Sequence, residues 1–331
     1  MEITNFIGID VSKKTLDAAL VKDGKVIYNT KVQNNKAGIK LLVKELKVDM
    51  EQSLFCMEHT GIYCNIMLDY LAEKQVQVWL ESAVQIQRSQ GIARGKSDKV
   101  DAQRIALYAF KNQTSAKLWK PTRDLLVKLK HLQETRERLL QAIKQIEQPL
   151  NEGKAFIKQS YQKSMEKACS SSIKALKSDL KNIDQAIQDI ITSDENLKSL
   201  YDIVTSVDGI GKVTATQIII TTNEFKDFTQ AKKYACYAGV APFEHTSGTS
   251  IKGKTRVSHL ANKDIKRLLH MAAMAVIRKP GELQDYYLRK VAEGKNKMSV
   301  LNAVRNKLIL RIFACINEKR MYEKKYEYML V

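Results

Sequence analysis

The chain has 331 residues, 55 Lys and Arg against 36 Asp and Glu for a net charge of +19, 44% apolar residues and four prolines. This length allows two or three domains, and the apolar share excludes a disordered basic tail. The charge calls for a polyanionic partner, nucleic acid before an anionic membrane surface. No apolar run approaches the length that crosses a bilayer, and the N-terminus lacks the order of a signal peptide, so a cytoplasmic protein is expected, nucleoid-associated when acting. The five cysteines are scattered and odd in number, and read as reduced thiols; without a C-x-x-C pair no structural zinc is expected.

The first hundred residues alternate in the α/β manner. Strands are expected over Phe6–Asp10, Thr15–Val21 and Val26–Val32, the last two joined by the hairpin signal Lys22-Asp23-Gly24-Lys25. A helix over Ala37–Lys47 presents Ile39, Leu42, Val43 and Leu46. A strand ending in Glu58, a helix through Ile66, Leu68 and Leu71, and a strand over Val76–Leu80 follow. A helix opened by Asp98 and Asp101 closes the unit. Three strands followed by alternating helix and strand match the ribonuclease H/RuvC-like plan.

Four acids stand out in that frame. Asp10 and Glu58 each end an apolar strand, where a charge must be paired, solvated or bound to metal. Asp98 and Asp101 share one helix face at i, i+3. Gathered together they would repel unless divalent cations lay between them, and hard oxygen donors suit Mg²⁺ or Mn²⁺. In a basic protein the matching substrate is a phosphodiester. The plainer readings are a salt bridge for Glu58 and favourable helix-dipole charges for Asp98 and Asp101. His59 reads as a strand-end packing residue.

Pro121 marks a boundary. Beyond it two near-heptad seams, Leu125 to Ile146 and Ile173 to Ile190, predict a helical hairpin or coiled coil, interrupted by Arg136 and broken at Pro149 to Gly153. The connector carries Lys154, Lys158, Lys163 and Lys167, either as a solvated link or as an arm facing nucleic acid. Val207 to Ala215 reads as the hairpin of a helix-hairpin-helix element, with Gly209, Gly211 and Lys212 as phosphate contacts, or as an ordinary tight turn. The polar stretch from Thr246 to Arg256 is expected to be a basic, glycine-rich loop, with Lys252, Lys254 and Arg256 facing phosphate or serving as surface charge. It leads into an amphipathic helix containing Arg267, Leu268 and Leu269. Tyr322, Tyr326 and Tyr328 are expected to pack a C-terminal helix more readily than to stack on bases.

In this order and spacing, Ile7-Gly8-Ile9-Asp10, Met57-Glu58-His59-Thr60-Gly61, Ser97-Asp98-Lys99-Val100-Asp101, Gly209-Ile210-Gly211, Tyr237-Ala238-Gly239-Val240-Ala241-Pro242, Ser247-Gly248 and the Arg267-Leu268-Leu269 helix resemble the DEDD family of insertion-sequence transposases, which includes the Piv-type DNA invertases. The resemblance covers almost the whole chain. It implies a RuvC-like catalytic domain over 1–120, a helical hairpin or coiled-coil spacer over 121–199, and a mostly α C-terminal transposase domain over 200–331. It makes Asp10, Glu58, Asp98 and Asp101 the metal-binding tetrad, with Mg²⁺ or Mn²⁺, and Ser247 the nucleophile, with Ser250 as the fallback. It also implies DNA as substrate, a homodimer or higher oligomer, and a structured non-coding guide RNA encoded by the element. Where the family usually has a glycine before the Arg-Leu-Leu helix, this chain has Leu260-Ala261-Asn262, and a left-handed Asn262 would keep the turn. The runners-up are a Holliday-junction-type metal-dependent endonuclease and a catalytically inactive nucleic-acid-binding protein.

With this charge, phosphate neutralisation should dominate affinity. Binding to DNA is expected to fall by about 10³-fold or more between 50 and 200 mM salt, as for a protein making six or more phosphate contacts. Fluorescence anisotropy over that range checks this, and a flat response would point to a different kind of partner.

Overall fold

Strands β1 (Asn5–Val11), β2 (Thr15–Lys22) and β3 (Lys25–Gln33) form an antiparallel meander. The β2–β3 turn places Asp23 and Gly24 at φ 49° and 74°, the paired positive values of a type I′ hairpin. Helix α1 (Lys36–Leu46), capped by the Asn35 side chain, leads to β4 (Ser53–Glu58), α2 (Asn65–Glu73) and β5 (Gln77–Glu81). A short helix that the sequence did not announce, α3 (Ala83–Arg88), precedes α4 (Asp98–Asn112). This is a computed structural model describing residues 2–89, 97–247, 251–257 and 260–323. The chain divides into two units, Met1–Pro121 and Thr122–Val331.

The first unit is a mixed sheet in the order β3-β2-β1-β4-β5, with β4 parallel to both β1 and β5. One face packs Ile7, Ile9, Leu20, Phe55 and Met57 against Ile39, Leu42 and Leu46 of α1 and Met67 and Leu71 of α2. The other packs Phe6, Ala19, Leu54, Cys56 and Trp79 against Ala102, Ile105, Ala106 and Ala109 of α4. Near-continuous apolar runs are what strands covered on both faces require. The architecture is the mixed α/β sheet, a three-strand meander followed by alternating helix and strand, that the sequence predicts.

In the second unit, α5 (Asp124–Gly153) and α6 (Gln159–Ser193) pair antiparallel. Arg136, out of place in an apolar seam, reaches Asp184 across the hairpin at 2.6 Å, and Lys177 reaches Glu147 at 2.6 Å. The expected break at Pro149 does not occur, because α5 continues to Gly153. Pro149 is exposed and close to the helix end, so the loss of one backbone bond is tolerable there. At the hairpin base Leu126, Leu129, Ile187 and Ile191 enter the core of this unit, whereas Ile173, Leu176 and Leu180 farther out are only half-buried.

The remaining elements are α7 (Glu195–Ser206), α8 (Lys212–Thr221), α9 (Ala231–Tyr237), β6 (Pro242–Ser247), β7 (Ile251–Val257), α10 (Lys263–Val276), α11 (Glu282–Ala292) and α12 (Lys297–Asn317). Tyr234, Leu269, Val304 and Leu308 lie at the centre of their core. The expected glycine-rich loop is instead a two-stranded antiparallel ribbon, β6 with β7. Tyr322 follows α12 outside any helix; its N–H donates to Ser206 Oγ at 2.8 Å and Arg311 lies over its ring, while Tyr326 and Tyr328 lie outside the described residues. Among the described residues no helix is long and apolar enough to cross a membrane.

After α8, Asn223, Glu224 and Phe225 take φ of 50°, 56° and 62° in succession, a conformation costly for L side chains. The Glu224 carboxylate, fully buried, is held by Arg123, Lys226 and the Asn196 amide. Arg123 also pairs with Asp194, which caps α7 by accepting from Leu197 N at 2.8 Å. That backbone bond and then Arg123 hold the Asp194 carboxyl below its ordinary range. Arg123→Ala strips the buried carboxylate of one cation, and is expected to cost about 2–4 kcal/mol. Urea unfolding should show a lower midpoint at unchanged slope, and an unshifted midpoint would refute the role.

Candidate active site

The acids meet along one edge of the first unit's sheet because of register. Asp10 lies opposite Asp17 on β2. Ile9 lies opposite Met57, so Asp10 and Glu58 are the next pair along the parallel β1–β4 ladder. Glu58 lies opposite Glu81 on β5, and Asp17 opposite Lys31 on β3. Residues in register share a face. Lys31, Asp17, Asp10, Glu58 and Glu81 therefore form a row across all five strands, on the face that α4 covers.

Helix α4 brings the other two acids to this row. Ser97 caps it, accepting from Val100 N at 3.3 Å, and Asp98 and Asp101 occupy its first turn. Its path over β1 depends on Gly8. A Cβ at that position would lie 2.2 Å from Ala106 N and 2.3 Å from Ala102 O, so only glycine lets the helix backbone come so close. Ala102 lies one turn beyond Asp98 on the same helix face, so the contact that seats α4 also fixes its acidic end.

The electrostatics register the crowding. Burial, and then the charges of Asp98, Asp101, Glu58 and Asp17, raise the Asp10 carboxyl from 3.8 to about 6. Part of the field is balanced internally: Lys31 Nζ lies 3.0 Å from Asp17 and 3.4 Å from Asp98, and Arg104 lies 2.9 Å from Asp101. Tyr108 donates to Glu81 at 3.3 Å; burial and then the Glu81 charge push its hydroxyl up to about 12. Burial pushes the Cys56 thiol up strongly, which makes it inert. Among the described residues no three His, Cys, Asp or Glu side chains converge closely enough to hold a metal ion.

The sequence did not single out Asp17, Lys31, Glu81 or Arg104. Asp17 carried a signal, being an acid inside the apolar run Leu16-Asp17-Ala18-Ala19-Leu20, and the short link between β1 and β2 could have placed it opposite Asp10.

In the second unit, Ser247 is the last residue of β6, paired with Ile251 of β7; the expected loop is thus a strand end at this position. Ser250 lies outside the described residues. Lys252, Lys254 and Arg256 all belong to β7. Gly209 has φ +86°, and a Cβ there would meet Ala272 O of α10 at 2.8 Å, so packing alone demands glycine. Gly211 precedes α8 with open space around it, and Lys212, the first residue of that helix, is exposed. Arg267 is tied to Glu137 at 3.1 Å. Asn262 is not left-handed: at φ −66° and ψ 109° it caps α10, accepting from Ile265 N at 3.0 Å.

The crowding around Asp10 has a measurable cost. Asp10 ionises less readily in the folded chain than in the unfolded one, so the folded state loses stability as pH rises from about 4 through about 6 and stays penalised above that. In chelator, Asp10→Asn is expected to melt higher than the parent at pH 7.5, with the gap closing towards pH 4. A pH-independent gap, or a lower melting temperature at pH 7.5, would contradict the charge row.

Comparison with known proteins places the chain. A model described as transposase, for the DEDD type of IS110, matches residues 7–156, and one described as the transposase IS116/IS110/IS902 family matches residues 201–288. The pilin gene-inverting protein of Moraxella bovis is 28% identical over 97% of this chain and 98% of its own length. An uncharacterized protein of insertion element IS110 from Streptomyces coelicolor is 31% identical over 38% of this chain and 31% of its own. Among solved structures, T. thermophilus RuvC in complex with a Holliday junction substrate covers 35% of this chain and 99% of its own at 14% identity, with a TM-score of 0.27, too low to establish a shared fold. The two family models together take in more than two-thirds of the sequence, and the chain belongs to the IS116/IS110/IS902 family of transposases, enzymes of DNA transposition and recombination.

Proposed function

We propose that this transposase cuts and rejoins DNA with a divalent-metal site built from Asp10, Glu58, Asp98 and Asp101 and with Ser247 as nucleophile. The observation that carries the reading is the carboxylate row at the ends of β1 and β4, with Asp10 raised to about 6 by burial and then by the acids around it. A protein of this net charge that keeps so much negative charge at one sheet edge, at a cost to its own stability, has a use for it.

The donor set suits Mg²⁺ or Mn²⁺, being all hard oxygen. Bound there, such cations would stabilise negative charge on the scissile phosphate and on its attacking and leaving oxygens. The chain's own groups do the rest. Lys31 and Arg104, which hold Asp98 and Asp101 in the free protein, would release them and remain as cations beside the phosphate. Ser247 Oγ attacks phosphorus, a DNA hydroxyl leaves, and the resulting phosphoserine link keeps the bond energy for rejoining by another strand. Lys252, Lys254 and Arg256, on the strand paired with that of Ser247, supply positive charge for the pentacovalent phosphate.

The family resemblance implies a structured guide RNA encoded by the element, a second polyanion beside DNA that the net charge could accommodate, with Gly209, Gly211, Lys212 and Arg267 among the phosphate contacts. The half-buried outer seam of the α5–α6 hairpin supports self-association, since exchanging strands needs at least two active centres. On this reading the protein acts in the cytoplasm, on the nucleoid. The endonuclease alternative needs the acids but no serine, and nothing favours it over the family assignment.

Asp10→Asn is expected to abolish cleavage, by 10³-fold or more, with the fold intact, because it removes charge at constant volume. Excess chelator should do the same to the parent protein. Ser247→Ala should remove the covalent protein–DNA adduct while DNA binding survives. If adducts map to Ser250 the ribbon is right and the residue wrong, and normal recombination by both serine variants would make water the nucleophile.

A further inference from the structure

The turn closing the α5–α6 hairpin displays two aromatic rings. Phe156 is 90% exposed, the most exposed large apolar side chain among the described residues, and Tyr161 follows at 64%. Neither is there through slackness. The N–H groups of Phe156 and Ile157 both donate to Gly153 O, at 3.1 and 2.8 Å, and those of Tyr161 and Gln162 to Lys158 O, at 2.9 and 3.1 Å. The Gln162 amide, buried, donates to Leu150 O at 2.7 Å and ties the start of α6 back to the end of α5. Gly153 is buried in this clasp, and a Cβ on it would lie 2.7 Å from Gln162 Oε1. A fixed backbone thus holds Phe156 out in water, forgoing the roughly 1.5–3 kcal/mol that burying such a ring provides.

The charge around the rings says what covers them. Lys154, Lys158, Lys163 and Lys167 are all exposed, and among the described residues none forms an ion pair. Lys158 Nζ sits 5.8 Å from the centroid of the Tyr161 ring. The two nearby acids are occupied by amides, Glu152 by Gln148 and Glu166 by Gln162. Rings held out by a fixed backbone, among lysines that form no ion pair, match a ligand that alternates π-faces with phosphates. A paired duplex offers phosphates but keeps its base faces stacked, whereas an unpaired strand offers both.

We propose that the hairpin tip is a stacking site for unpaired bases, held by Phe156 and Tyr161, with the adjoining phosphates met by Lys154, Lys158, Lys163 and Lys167. The site is separate from the cleavage chemistry and rests on the proposed function only in requiring a nucleic-acid partner. RNA and DNA share the chemistry it recognises.

The test uses the full chain, irradiated with single-stranded RNA carrying 4-thiouridine and, separately, single-stranded DNA carrying 4-thiothymidine, with the crosslinked peptides mapped. Adducts on Phe156 or Tyr161 are expected, and the arm that yields them identifies the strand. Phe156→Ala with Tyr161→Ala should erase those adducts and weaken single-strand binding about ten-fold or more, while duplex binding changes less than about two-fold. Phe156→Trp with Tyr161→Phe should restore both, which a merely structural role for the rings would not require. Strand binding with adducts only elsewhere overturns the tip site and leaves the catalytic reading standing. Loss of an oligomer in sedimentation with strand affinity unchanged overturns it too, by making the tip a contact between copies. If the parent binds no nucleic acid at all, both readings fail.

Discussion

The approach of α4 to β1 over Gly8 governs the first unit. A helix crossing a strand normally stands off by the thickness of two side chains, and here one of them is a hydrogen atom. Ala102, Ala106 and Ala109 continue the economy on the helix side, so α4 lies almost directly on the sheet. Its N-terminus then arrives beside the ends of β1 and β4, where the meander and the parallel ladder have already put Asp10 and Glu58. Packing and chemistry are coupled here. A larger residue at position 8 would tilt the helix and carry Asp98 and Asp101 away before any acid had been changed.

What results is a charge distribution the fold tolerates rather than prefers. Asp17, Asp10, Glu58 and Glu81 stand in one register row, an arrangement disfavoured between adjacent strands. Lys31 at one end, Arg104 above and the Tyr108 hydroxyl at the other end offset part of the repulsion. Asp10, in the middle, is raised to about 6 by its burial and then by the charges around it. The second unit handles a buried acid in the opposite way. Glu224 is surrounded by Arg123, Lys226 and Asn196, so its charge is fully matched and serves to hold a left-handed turn. The contrast separates an acid that braces the fold from one whose charge the fold leaves partly unbalanced.

Much of the first unit was legible because its signals are local. Apolar runs broken by Lys22-Asp23-Gly24-Lys25 and by acids at strand ends mark elements whose limits the structure moves by a residue or two. The acids themselves stood out as charges where apolar runs stop. Lys31 stayed hidden because its significance is a matter of cross-strand register, which a linear pattern does not display, whereas Asp17 was legible as an acid inside an apolar run and was passed over. In the second unit the β6–β7 ribbon was read as a loop because Gly248 and Gly253, with many polar residues, outweigh a strand pattern that has only Phe243, Ile251 and Val257 as apolar anchors. Pro149 misled for a related reason: the cost of a proline depends on where along a helix, and on which side, it falls.

Arg136 connects the hairpin's stem to its tip. An arginine in an apolar seam lowers the packing energy of that layer, and here the loss is offset by a short ion pair to Asp184 that one alignment of the two helices satisfies. Sliding α6 by one turn would leave both charges without partners, so the pair selects register in the way a polar core residue does in a coiled coil. The second pair, Lys177 with Glu147, repeats the constraint nearer the tip. Register fixed at two levels means that the clasp of Gly153 and Gln162 closes in one geometry only. The direction in which Phe156 is presented is therefore set by charges in the stem more than by the turn residues alone.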